Sequence, residues 1–599
     1  MSATHSSAAG GGERTPLLDV AGLTVRFGAA DPVVRGLDLR VVAGECVAIV
    51  GESGSGKSVT ARALLGLADG GAAGAGGRAR VSADRLRIGA RDMLGAGASH
   101  GTLRGGTRST LRGGARSATA AEWRRVRGGE VGLVLQDALV SLDPLRTVGR
   151  HLDDVLRLHT DLGPADRGLR ARDLLSDVGL PPATAGQRAD QLSGGMRQRA
   201  LIATAIAAGP GLLIADEPTT ALDATVAARV MDLLARLRRP SATRPEGTGL
   251  LLISHDLAVV SSVADRILVM RDGEVVESGP AAHVLSSPQH EYTRMLLAAV
   301  PAGKPRGTRL TVTEPAPRSP SGPSPMRSAP APSGPSSGRT PPAPALSARG
   351  LTKTFLRDGA PFAAVDGVGF ELPAGRTVGL VGESGSGKTT TARLVLGLAE
   401  PDAGEVGLLG EPWVGPGLRE RDRRPRRTHL GAVYQDPLSS FDPRIGVGSL
   451  LADAATGGRS RSARRQRGRV RELLELVGLP EGVADRHPRS LSGGQRQRVA
   501  IARALAPGPR VIVCDEPVSA LDVSVQAQIL DLLDALQERL GLSYLFISHD
   551  LAVVRHVSDH LLVMQGGRIV ESGPAEDVFA DPQQEYTRQL LAASPSLAD

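Results

Sequence analysis

The sequence contains two copies of a glycine-rich loop that could hold phosphate groups. The segment GESGSGK occupies residues 51–57 and recurs at 382–388, each time between an apolar run and a stretch of helical character. Glycines allow backbone N–H groups to turn towards phosphate oxygens, and the N-terminus of the following helix adds positive potential. The pattern G-x-x-x-x-G-K-[ST] in this strand–loop–helix context therefore predicts a nucleotide-phosphate site in each copy.

Two lysines and two hydroxyl side chains stand at the ends of these loops. We expect Lys57 and Lys388 to reach the β- and γ-phosphates of the nucleotide. Ser58 and Thr389 are the expected Mg²⁺ ligands of the same motif. The chain has four lysines against 67 arginines, and two of the four lie here, which indicates that a compact ammonium is required rather than a planar guanidinium.

Two apolar runs, LLIADEP and VIVCDEP, each contain a pair of adjacent acidic residues. The first acid, Asp216 or Asp515, suits a Mg²⁺ position. The second acid, Glu217 or Glu516, suits polarising the water that attacks the γ-phosphate. Because both pairs follow a strand pattern in the same order after the loops, they predict hydrolysis of the nucleotide as well as its binding.

A glutamine and a histidine follow further short apolar runs in each copy. Gln136 and Gln435 end the runs VGLVL and LGAVY, where a neutral amide can orient water and contact Mg²⁺. His255 and His549 lie in the two ISHD segments. Neighbouring Ser, His and Asp residues do not form a hydrolase triad, which is defined by spatial geometry. The matched position of the histidines favours a role at the nucleotide site, with a structural role as the alternative.

The segment LSGG opens a predicted helix at 192–195 and again at 491–494. Ser193 or Ser492, with the glycine pair that follows, gives a capped helix N-terminus that can bind an anion. Each copy already has its own phosphate loop. A second phosphate-binding element in each copy therefore suggests that this element binds the nucleotide held by the other copy.

All these markers occur in the same order in both halves, so one domain occurs twice. The offset between copies falls from 331 residues at the loops to 299 at LSGG, so the first copy holds 32 extra residues. We assign them to a flexible, Gly/Arg/Ser-rich insertion at about 70–120. We predict the following division of the chain: a disordered N-terminus at 1–15, a first domain at 16–300, a disordered Pro/Ser-rich linker at 301–345 and a second domain at 346–599.

The composition argues against several classes of protein. Two cysteines, Cys46 and Cys514, are too few for a disulfide framework or a cysteine-rich metal site. The net charge of +8 is compatible with nucleic-acid binding, but the excess of arginine suggests coding bias, and we expect no nucleic-acid partner. No run of about 18 apolar residues occurs, so any role at a membrane requires a partner protein.

This set of motifs resembles the ATP-binding cassette (ABC) ATPase family, for which LSGG is a specific signature. The resemblance implies an α/β fold with two P-loop NTPase domains, each with a RecA-like core, an antiparallel β subdomain and a helical subdomain. In the family, two cassettes pair head to tail and hold two ATP molecules, with Mg²⁺, between the phosphate loop of one and the signature of the other.

Carried over to this sequence, the resemblance implies two composite sites. The first would combine residues of the first copy with the second signature: Gly51, Glu52, Ser53, Gly54, Ser55, Gly56, Lys57, Ser58, Val59, Gln136, Asp216, Glu217 and His255 with Ser492, Gly493 and Gly494. The second would combine the converse set: Gly382, Glu383, Ser384, Gly385, Ser386, Gly387, Lys388, Thr389, Thr390, Gln435, Asp515, Glu516 and His549 with Ser193, Gly194 and Gly195. The glutamates and histidines would be the catalytic residues.

Two further pairs of residues match family positions. Asp223 and Asp522 match the D-loop that communicates between sites. Phe27 and Phe355 match the aromatic position that stacks on adenine, with ordinary strand packing as the alternative.

A narrower resemblance concerns the segment QDPLSSFDPRIGVG and the tails PQHEYTRMLLAAVP and PQQEYTRQLLAA. These look like the dipeptide/oligopeptide/nickel importer subfamily, with two ATPase cassettes fused in one chain. The resemblance implies two integral-membrane permeases and an extracytoplasmic solute-binding protein as partners, and a place on the cytoplasmic face of the cell membrane. Some relatives carry a cysteine cluster after the tail; none follows here, so we expect no iron–sulfur cluster.

Three alternatives remain at this point. A soluble tandem ABC protein of the translation-factor type would usually have a charged helical linker instead of a Pro/Ser-rich one. A DNA-repair excinuclease subunit would need zinc-binding cysteines. An exporter ATPase would share the cassettes, and the transported solute, whether a peptide, a glutathione-like compound, an opine or nickel, stays open.

Overall fold

The computed structural model describes residues 15–68, 79–95, 98–103, 106–111, 117–135, 141–219, 222–240, 245–311, 344–357, 360–519 and 521–594. The described residues divide into two compact units, with the first ending at Leu297 and the second running from Ala298 to Ser594. Of the predicted disordered N-terminus, all but residue 15 lies outside the described residues.

The first unit alternates strands and helices. Its strands are β1 (Pro16–Phe27), β2 (Val34–Val42), β3 (Cys46–Val50), β4 (Ala79–Ser82), β5 (Arg85–Ile88), β6 (Arg91–Gly95), β7 (Ala98–Leu103), β8 (Gly106–Leu111), β9 (Val131–Val134), β10 (Leu212–Asp216), β11 (Gly249–Ile253), β12 (Arg266–Arg271) and β13 (Glu274–Pro280). Its helices are α1 (Lys57–Leu64), α2 (Ala120–Arg125), α3 (Val148–His159), α4 (Pro164–Asp177), α5 (Gly194–Ile206), α6 (Ala224–Arg238), α7 (Leu257–Ser261), α8 (Ala281–Ser286) and α9 (Glu291–Ala298).

The second unit repeats most of this order. Its strands are β14 (Leu346–Arg357), β15 (Ala360–Leu372), β16 (Thr377–Val381), β17 (Ala403–Leu408), β18 (Glu411–Val414), β19 (Leu430–Val433), β20 (Val511–Asp515), β21 (Ser543–Ile547), β22 (His560–Gln565) and β23 (Arg568–Pro574). Its helices are α10 (Lys388–Val395), α11 (Glu420–Arg423), α12 (Val447–Ala455), α13 (Arg467–Leu476), α14 (Gly493–Leu505), α15 (Val523–Leu540), α16 (Leu551–Val557), α17 (Ala575–Ala580) and α18 (Glu585–Ala593).

Each unit has a core sheet that is parallel except at one edge. Among the described residues the strand order is β13–β12–β3–β11–β10–β9 in the first unit and β19–β20–β21–β16–β22–β23 in the second. Only β13 and β23 pair antiparallel with their neighbours in these two described sheets. Strands β3 and β16 are buried along their whole length, as expected where a parallel sheet is covered on both faces.

Each unit also has an antiparallel sheet. In the first unit its order is β6–β5–β1–β4–β7–β8, with β2 paired to β1, and in the second it is β15–β14–β17–β18, within the described ranges. Between β9 and β10, and between β19 and β20, the chain forms a group of helices that includes α3 to α5 and α12 to α14. A core sheet, an antiparallel sheet and a helical group in each unit confirm the predicted fold class.

The flexible insertion predicted for about 70–120 needs correction. Residues 79–95 form β4 to β6, and Val81, Leu86 and Met93 are buried in the core around β1. These apolar residues alternate with polar ones, which is the period of a half-buried strand, and the high arginine and glycine content hid that alternation. The part without a counterpart among the described strands of the second unit is the hairpin of β7 and β8.

The start of the predicted linker is folded against the second unit. Leu310 is buried in the second core, and its backbone N–H donates to Asp531 Oδ1 at 3.0 Å. Thr311 donates to Asp531 Oδ2 through both its backbone N–H and its hydroxyl. The second unit therefore begins at Ala298 instead of residue 346, and residues 312–343 of the predicted linker lie outside the described residues.

Candidate functional site

The glycine-rich loops connect the central core strand of each unit to a helix N-terminus, as the sequence predicts. Residues 51–56 join β3 to α1, and residues 382–387 join β16 to α10. Gly56 and Gly387 precede the helices with φ of 100° and 107°, a conformation that favours glycine. A Cβ on Gly387 would lie 2.2 Å from the carbonyl oxygen of Ala364, so the neighbouring backbone also excludes a larger residue.

The lysine of each loop is buried and hydrogen-bonded to its own loop. Lys57 Nζ donates to the carbonyl oxygens of Gly51 and Glu52 at 2.7 and 2.8 Å. Lys388 Nζ makes the two matching bonds in the second unit, both at 2.8 Å. Each ammonium group is therefore fixed beside the backbone that would surround a phosphate.

The hydroxyl after each lysine faces the first acid of the strand-end pair. Ser58 Oγ donates to Asp216 Oδ1 at 2.9 Å, and Thr389 Oγ1 donates to Asp515 Oδ1 at 3.4 Å. These partners are 158 and 126 positions apart in sequence. They meet because the strands before them are parallel and end at the same edge of the core sheet.

The chemistry of this pair of residues fits Mg²⁺. Hydroxyl and carboxylate oxygens are the hard ligands that Mg²⁺ prefers, and Oδ2 of Asp216 is buried with no hydrogen-bond partner among the described residues. Burial raises the pKa of both Asp216 and Asp515, and the nearby charge of Glu516 raises that of Asp515 further. A bound cation would favour the ionised carboxylates.

The second acid of each pair contacts the predicted histidine. His255 Nδ1 lies 3.1 Å from Glu217 Oε1, and His549 Nδ1 lies 3.2 Å from Glu516 Oε2. Both glutamates have φ of 49°, a left-handed conformation that is uncommon outside glycine. Strain of this kind at matching positions marks a functional constraint, and it was not visible in the sequence.

The Glu516–His549 pair has shifted pKa values in both partners. Burial would raise the pKa of Glu516, but the hydrogen bond and positive charge of His549 outweigh burial and lower it. Burial would lower the pKa of His549, but the same hydrogen bond and the negative charge of Glu516 raise it. The pair is therefore stabilised as a carboxylate facing a protonated imidazole.

Gln435 joins this group directly. Its Nε2 donates to Glu516 Oε2 at 2.9 Å, which brings the strand-end glutamine, glutamate and histidine of the second unit together. Gln136, the predicted counterpart in the first unit, lies outside the described residues.

The predicted signature serines are helix caps. Ser193 and Ser492 precede α5 and α14, and each hydroxyl accepts a backbone N–H from the third residue of its helix at 3.3 Å. Asp223 caps α6 by accepting the N–H of Val226 at 2.9 Å, and Asp522 precedes α15. Each LSGG segment therefore forms the capped helix N-terminus that the sequence predicts.

The two aromatic candidates for adenine stacking differ. Phe355 is 47% exposed and lies under the ammonium of Lys353 at 5.9 Å. Phe27 is only 8% exposed and belongs to the core around β1, so for Phe27 the stacking prediction is corrected to strand packing. Its ring is already covered by apolar neighbours, which leaves little surface for a base.

The sequence did not predict one contact at the phosphate loops. The hydroxyl of Tyr292 accepts the backbone N–H of Glu52 at 3.1 Å, and that of Tyr586 accepts the N–H of Glu383 at 3.0 Å. Both tyrosines lie in the repeated EYTR segment of the tails. That repeat was the available signal, but it did not indicate which surface the tyrosines contact.

These features define a class of protein. A phosphate loop at the central strand, with a Ser or Thr facing a strand-end acid and a glutamate–histidine pair beside it, defines a P-loop nucleoside-triphosphate hydrolase. The LSGG helix and the three-part fold narrow the class further. The family model described as "ABC transporter" matches residues 34–220 and 365–519. The chain belongs to this family, and it is an ATP-binding ATPase with two cassettes, the first and second units described above.

Comparison with other proteins extends the likeness to the tails. The model described as "Oligopeptide/dipeptide transporter, C-terminal region" matches residues 276–324 and 570–599. The chain is 41% identical to the "Peptidoglycan transport ATP-binding protein YejF" of Agrobacterium fabrum, over 97% of this chain and 96% of that one. It is 41% identical to the "Glutathione import ATP-binding protein GsiA" of Salmonella paratyphi A, over 97% and 89%.

A GsiA protein of Escherichia coli O157:H7 is 40% identical, over 94% of this chain and 86% of that one. These likenesses span both cassettes and support the fused importer resemblance. Among the described residues, no helix is both long and apolar enough to cross a membrane.

Proposed function

We propose that this chain is the ATPase subunit of an importer that takes up peptides or related small solutes. The observation that carries the proposal is that each cassette contains both the candidate catalytic residues and a C-terminal tail of the importer type. Each cassette has a lysine, a hydroxyl, two acids and a histidine, and each is followed by the oligopeptide-transporter C-terminal region. The names of the relatives, which refer to peptidoglycan transport and glutathione import, support the solute class.

In the proposed reaction, each glutamate holds the attacking water. Glu217 or Glu516 accepts a proton from that water as its oxygen attacks the γ-phosphorus, and ADP leaves in line. His255 or His549 orients the glutamate through the contacts of 3.1 and 3.2 Å. The loop lysine supplies positive charge to the phosphates.

Mg²⁺ is the proposed cofactor of each site. It would be held by Ser58 and Asp216 in the first cassette and by Thr389 and Asp515 in the second, with Gln136 and Gln435 as further ligands. When bound, it neutralises charge on the β- and γ-phosphates.

We propose that each ATP also contacts the signature of the opposite cassette. Ser193 to Gly195 would serve the nucleotide of the second phosphate loop, and Ser492 to Gly494 that of the first. Asp223 and Asp522 would communicate between the sites, and Phe355 would stack on adenine. A serine-capped helix N-terminus in each cassette, separate from its own phosphate loop and suited to an anion, supports this arrangement.

The proposed partners are two membrane permeases and an extracytoplasmic solute-binding protein, with the chain on the cytoplasmic face of the cell membrane. The helical groups would receive the permeases near Gln136 and Gln435. Leu145 is 80% exposed just before α3, and Arg444 is exposed at the equivalent place before α12. ATP that bridges the cassettes would bind one conformational state of the complex more tightly than the other, and this difference would shift the permeases between their states.

Crosslinking tests this proposal. Leu145→Cys and Arg444→Cys should each crosslink to a cysteine in a cytoplasmic loop of a permease, with a yield that changes when ATP is added. The native thiols of Cys46 and Cys514 serve as a silent background because burial raises the pKa of each to about 12. Uptake of a labelled peptide or glutathione by the assembled complex is the accompanying assay. Absence of crosslinks together with absence of uptake would contradict the importer proposal.

A further inference from the structure

In each cassette, the C-terminal tail contacts the second residue of the phosphate loop, which is the glutamate after the opening glycine. The hydroxyl of Tyr292 accepts the N–H of Glu52 at 3.1 Å across 240 positions of sequence. The hydroxyl of Tyr586 accepts the N–H of Glu383 at 3.0 Å across 203 positions. The chain has only four tyrosines, so half of them make the same contact in two separately folded units.

Both tyrosine rings are held firmly. Tyr292 is 2% exposed and Tyr586 is 9% exposed. The turn before α9 is tied to β13, because the carboxylate of Glu277 accepts the backbone N–H groups of Gln289 and His290 at 2.8 and 3.0 Å.

The second cassette repeats the tie between its tail and β23. Glu571 accepts the N–H groups of Gln583 and Gln584 at 2.7 and 3.1 Å. Burial would raise the pKa of Glu571 and of its counterpart Glu277, but these backbone hydrogen bonds help to lower it, so both carboxylates stay ionised. The backbone that carries each tyrosine is therefore held in place, so the side chain approaches the phosphate loop from a fixed position.

The peptide that the tyrosine contacts is also the one that the loop lysine contacts. Lys57 Nζ donates to the carbonyl oxygens of Gly51 and Glu52, while the N–H of Glu52 donates to the tyrosine. On the other side, a Cβ on Gly51 would lie 2.1 Å from the carbonyl oxygen of Met270 in β12. The entry to the loop is thus fixed by the core sheet, by its own lysine and by the tail.

We infer that Tyr292 and Tyr586 are positioning residues for the phosphate loops, through which the C-terminal helix of each cassette sets the affinity of that cassette for ATP. The inference rests on the proposed ATP sites. A loop whose amides are already oriented loses less conformational entropy when it surrounds phosphates, so loss of the hydroxyl contact lowers affinity. The role is to orient the loop and not to contact the nucleotide.

The test is ATP binding by the full chain carrying Tyr292→Phe and Tyr586→Phe, singly and together. Phenylalanine keeps the ring packing and removes only the hydroxyl. We expect the double variant to bind ATP about 2- to 10-fold more weakly, with a matching rise in KM and a smaller change in kcat, since each loop loses the hydrogen bond between its glutamate N–H and the tyrosine hydroxyl. Each single variant should weaken one of the two sites.

Tyr544→Phe is the matched control. Tyr544 is 3% exposed in the core of the second cassette, and its hydroxyl donates to the carbonyl oxygen of Leu533 at 3.0 Å, away from the loop. This variant should lower the melting temperature without changing ATP affinity. If Tyr586→Phe behaved in the same way, with a lower melting temperature and unchanged affinity, the positioning role would be overturned.

A second pair of variants separates this inference from the proposed sites. Lys57→Ala and Lys388→Ala, combined, should abolish ATP binding if the loops hold the phosphates. Loss of binding in the lysine variants with normal affinity in the tyrosine variants would refute only the positioning role. Retention of binding in the lysine variants would refute the proposed sites, and the inference with them.

Discussion

The two cassettes pair an equivalent acid with an arginine in different ways. In the first, Arg238 at the end of α6 contacts Asp265 and donates to the carbonyl oxygens of Val263 and Gly44 at 2.6 and 3.2 Å. In the second, the acid in the place of Asp265 is Asp559.

The offset of the repeated motifs in this region aligns Gln537 of the second cassette with Arg238 of the first. The guanidinium there comes from Arg306 in the segment that connects the cassettes. Arg306 pairs with Asp559 and donates to Gln537 Oε1 at 2.8 Å.

This difference shows that a duplicated domain need not keep all its stabilising groups within its own copy. The first cassette supplies its own arginine from a core helix. The second has Gln537 in the place of that arginine and takes an arginine from the connecting segment, whose Leu310 is also buried in the core. The described start of the connection, up to residue 311, is therefore part of the fold of the second cassette, although its sequence resembles a flexible linker.

The largest expected effect tests whether the two cassettes are equal in catalysis. We expect Glu217→Gln and Glu516→Gln each to cut ATP turnover strongly, and the double variant to lose about 100-fold or more, because the attacking water loses its proton acceptor. ATP binding should be retained, since in the proposed reaction the glutamates act on the water and the loop lysines bind the phosphates. Steady-state ATPase assays of the assembled transporter check this expectation. Full activity in either single variant would show that one cassette is not catalytic.

A smaller effect is expected from the arginine that distinguishes the cassettes. Arg306→Ala should lower the free energy of unfolding of the second cassette by about 1–2 kcal/mol, because Asp559 loses a charged hydrogen-bond donor while keeping Arg376 and the N–H of Thr377. Thermal and urea unfolding of the full chain would measure the change.

The matched control for this variant is Arg309→Ala in the same segment. Its side chain is 61% exposed and lies 4.0 Å from Asp531, so its loss should cost about 0.5 kcal/mol or less. Equal losses of unfolding free energy in the two variants would contradict the view that Arg306 does in the second cassette what Arg238 does in the first.

The pH dependence of stability should sharpen this comparison. Burial alone would raise the pKa of Asp559, but hydrogen bonds from Arg306 and from the N–H of Thr377 outweigh burial and lower it. A carboxyl whose folded pKa is depressed stabilises the fold above its unfolded pKa of about 3.9. That contribution is lost as the pH falls through the folded pKa.

We therefore expect the difference in unfolding free energy between the wild-type chain and Arg306→Ala to shrink as the pH falls from roughly 4 towards the depressed folded pKa. Urea unfolding across this range measures it. A difference that stayed constant with pH would mean that Arg306 acts by packing and not through the carboxylate.

The smallest expected effect concerns the hairpin found only in the first cassette among the described strands. Replacing residues 98–115 by a short Gly/Ser turn should leave ATPase activity within about two-fold, because within the described ranges the hairpin is strand-paired to the rest of the sheet only through β4. The deletion stops before Ala118, which is buried and donates its N–H to the carbonyl oxygen of Met93. Loss of nucleotide binding would show that the hairpin supports the core.

Much of the site was readable from the sequence because its chemistry is local. Lys57 and Ser58 follow the glycine-rich loop that leaves one strand pattern, and Asp216 and Glu217 stand at the end of another. Parallel strands that end at one edge must bring such residues together. The contacts between Ser58 and Asp216 and between Glu217 and His255 follow from that rule.

Other features could not be read in this way. Phe27 and Phe355 occupy matching sequence positions, yet one is buried and the other is exposed. Residues 79–95 have the composition of a flexible segment, yet they form strands whose apolar face packs on β1. In both cases burial depends on neighbours far away in the sequence, and composition carries no information about them.

The sequence by itself determined that this protein has two ATP-hydrolysing cassettes, because the residue types and spacing of the loops, acids and signatures admit few other chemistries. Only the tertiary structure decided what supports those residues. It brought Tyr292 and Tyr586 to the phosphate loops and Arg306 to Asp559. These contacts join residues more than 200 positions apart, and the physical reason is that a hydrogen bond depends on distance in space, which sequence spacing fixes only within a single element.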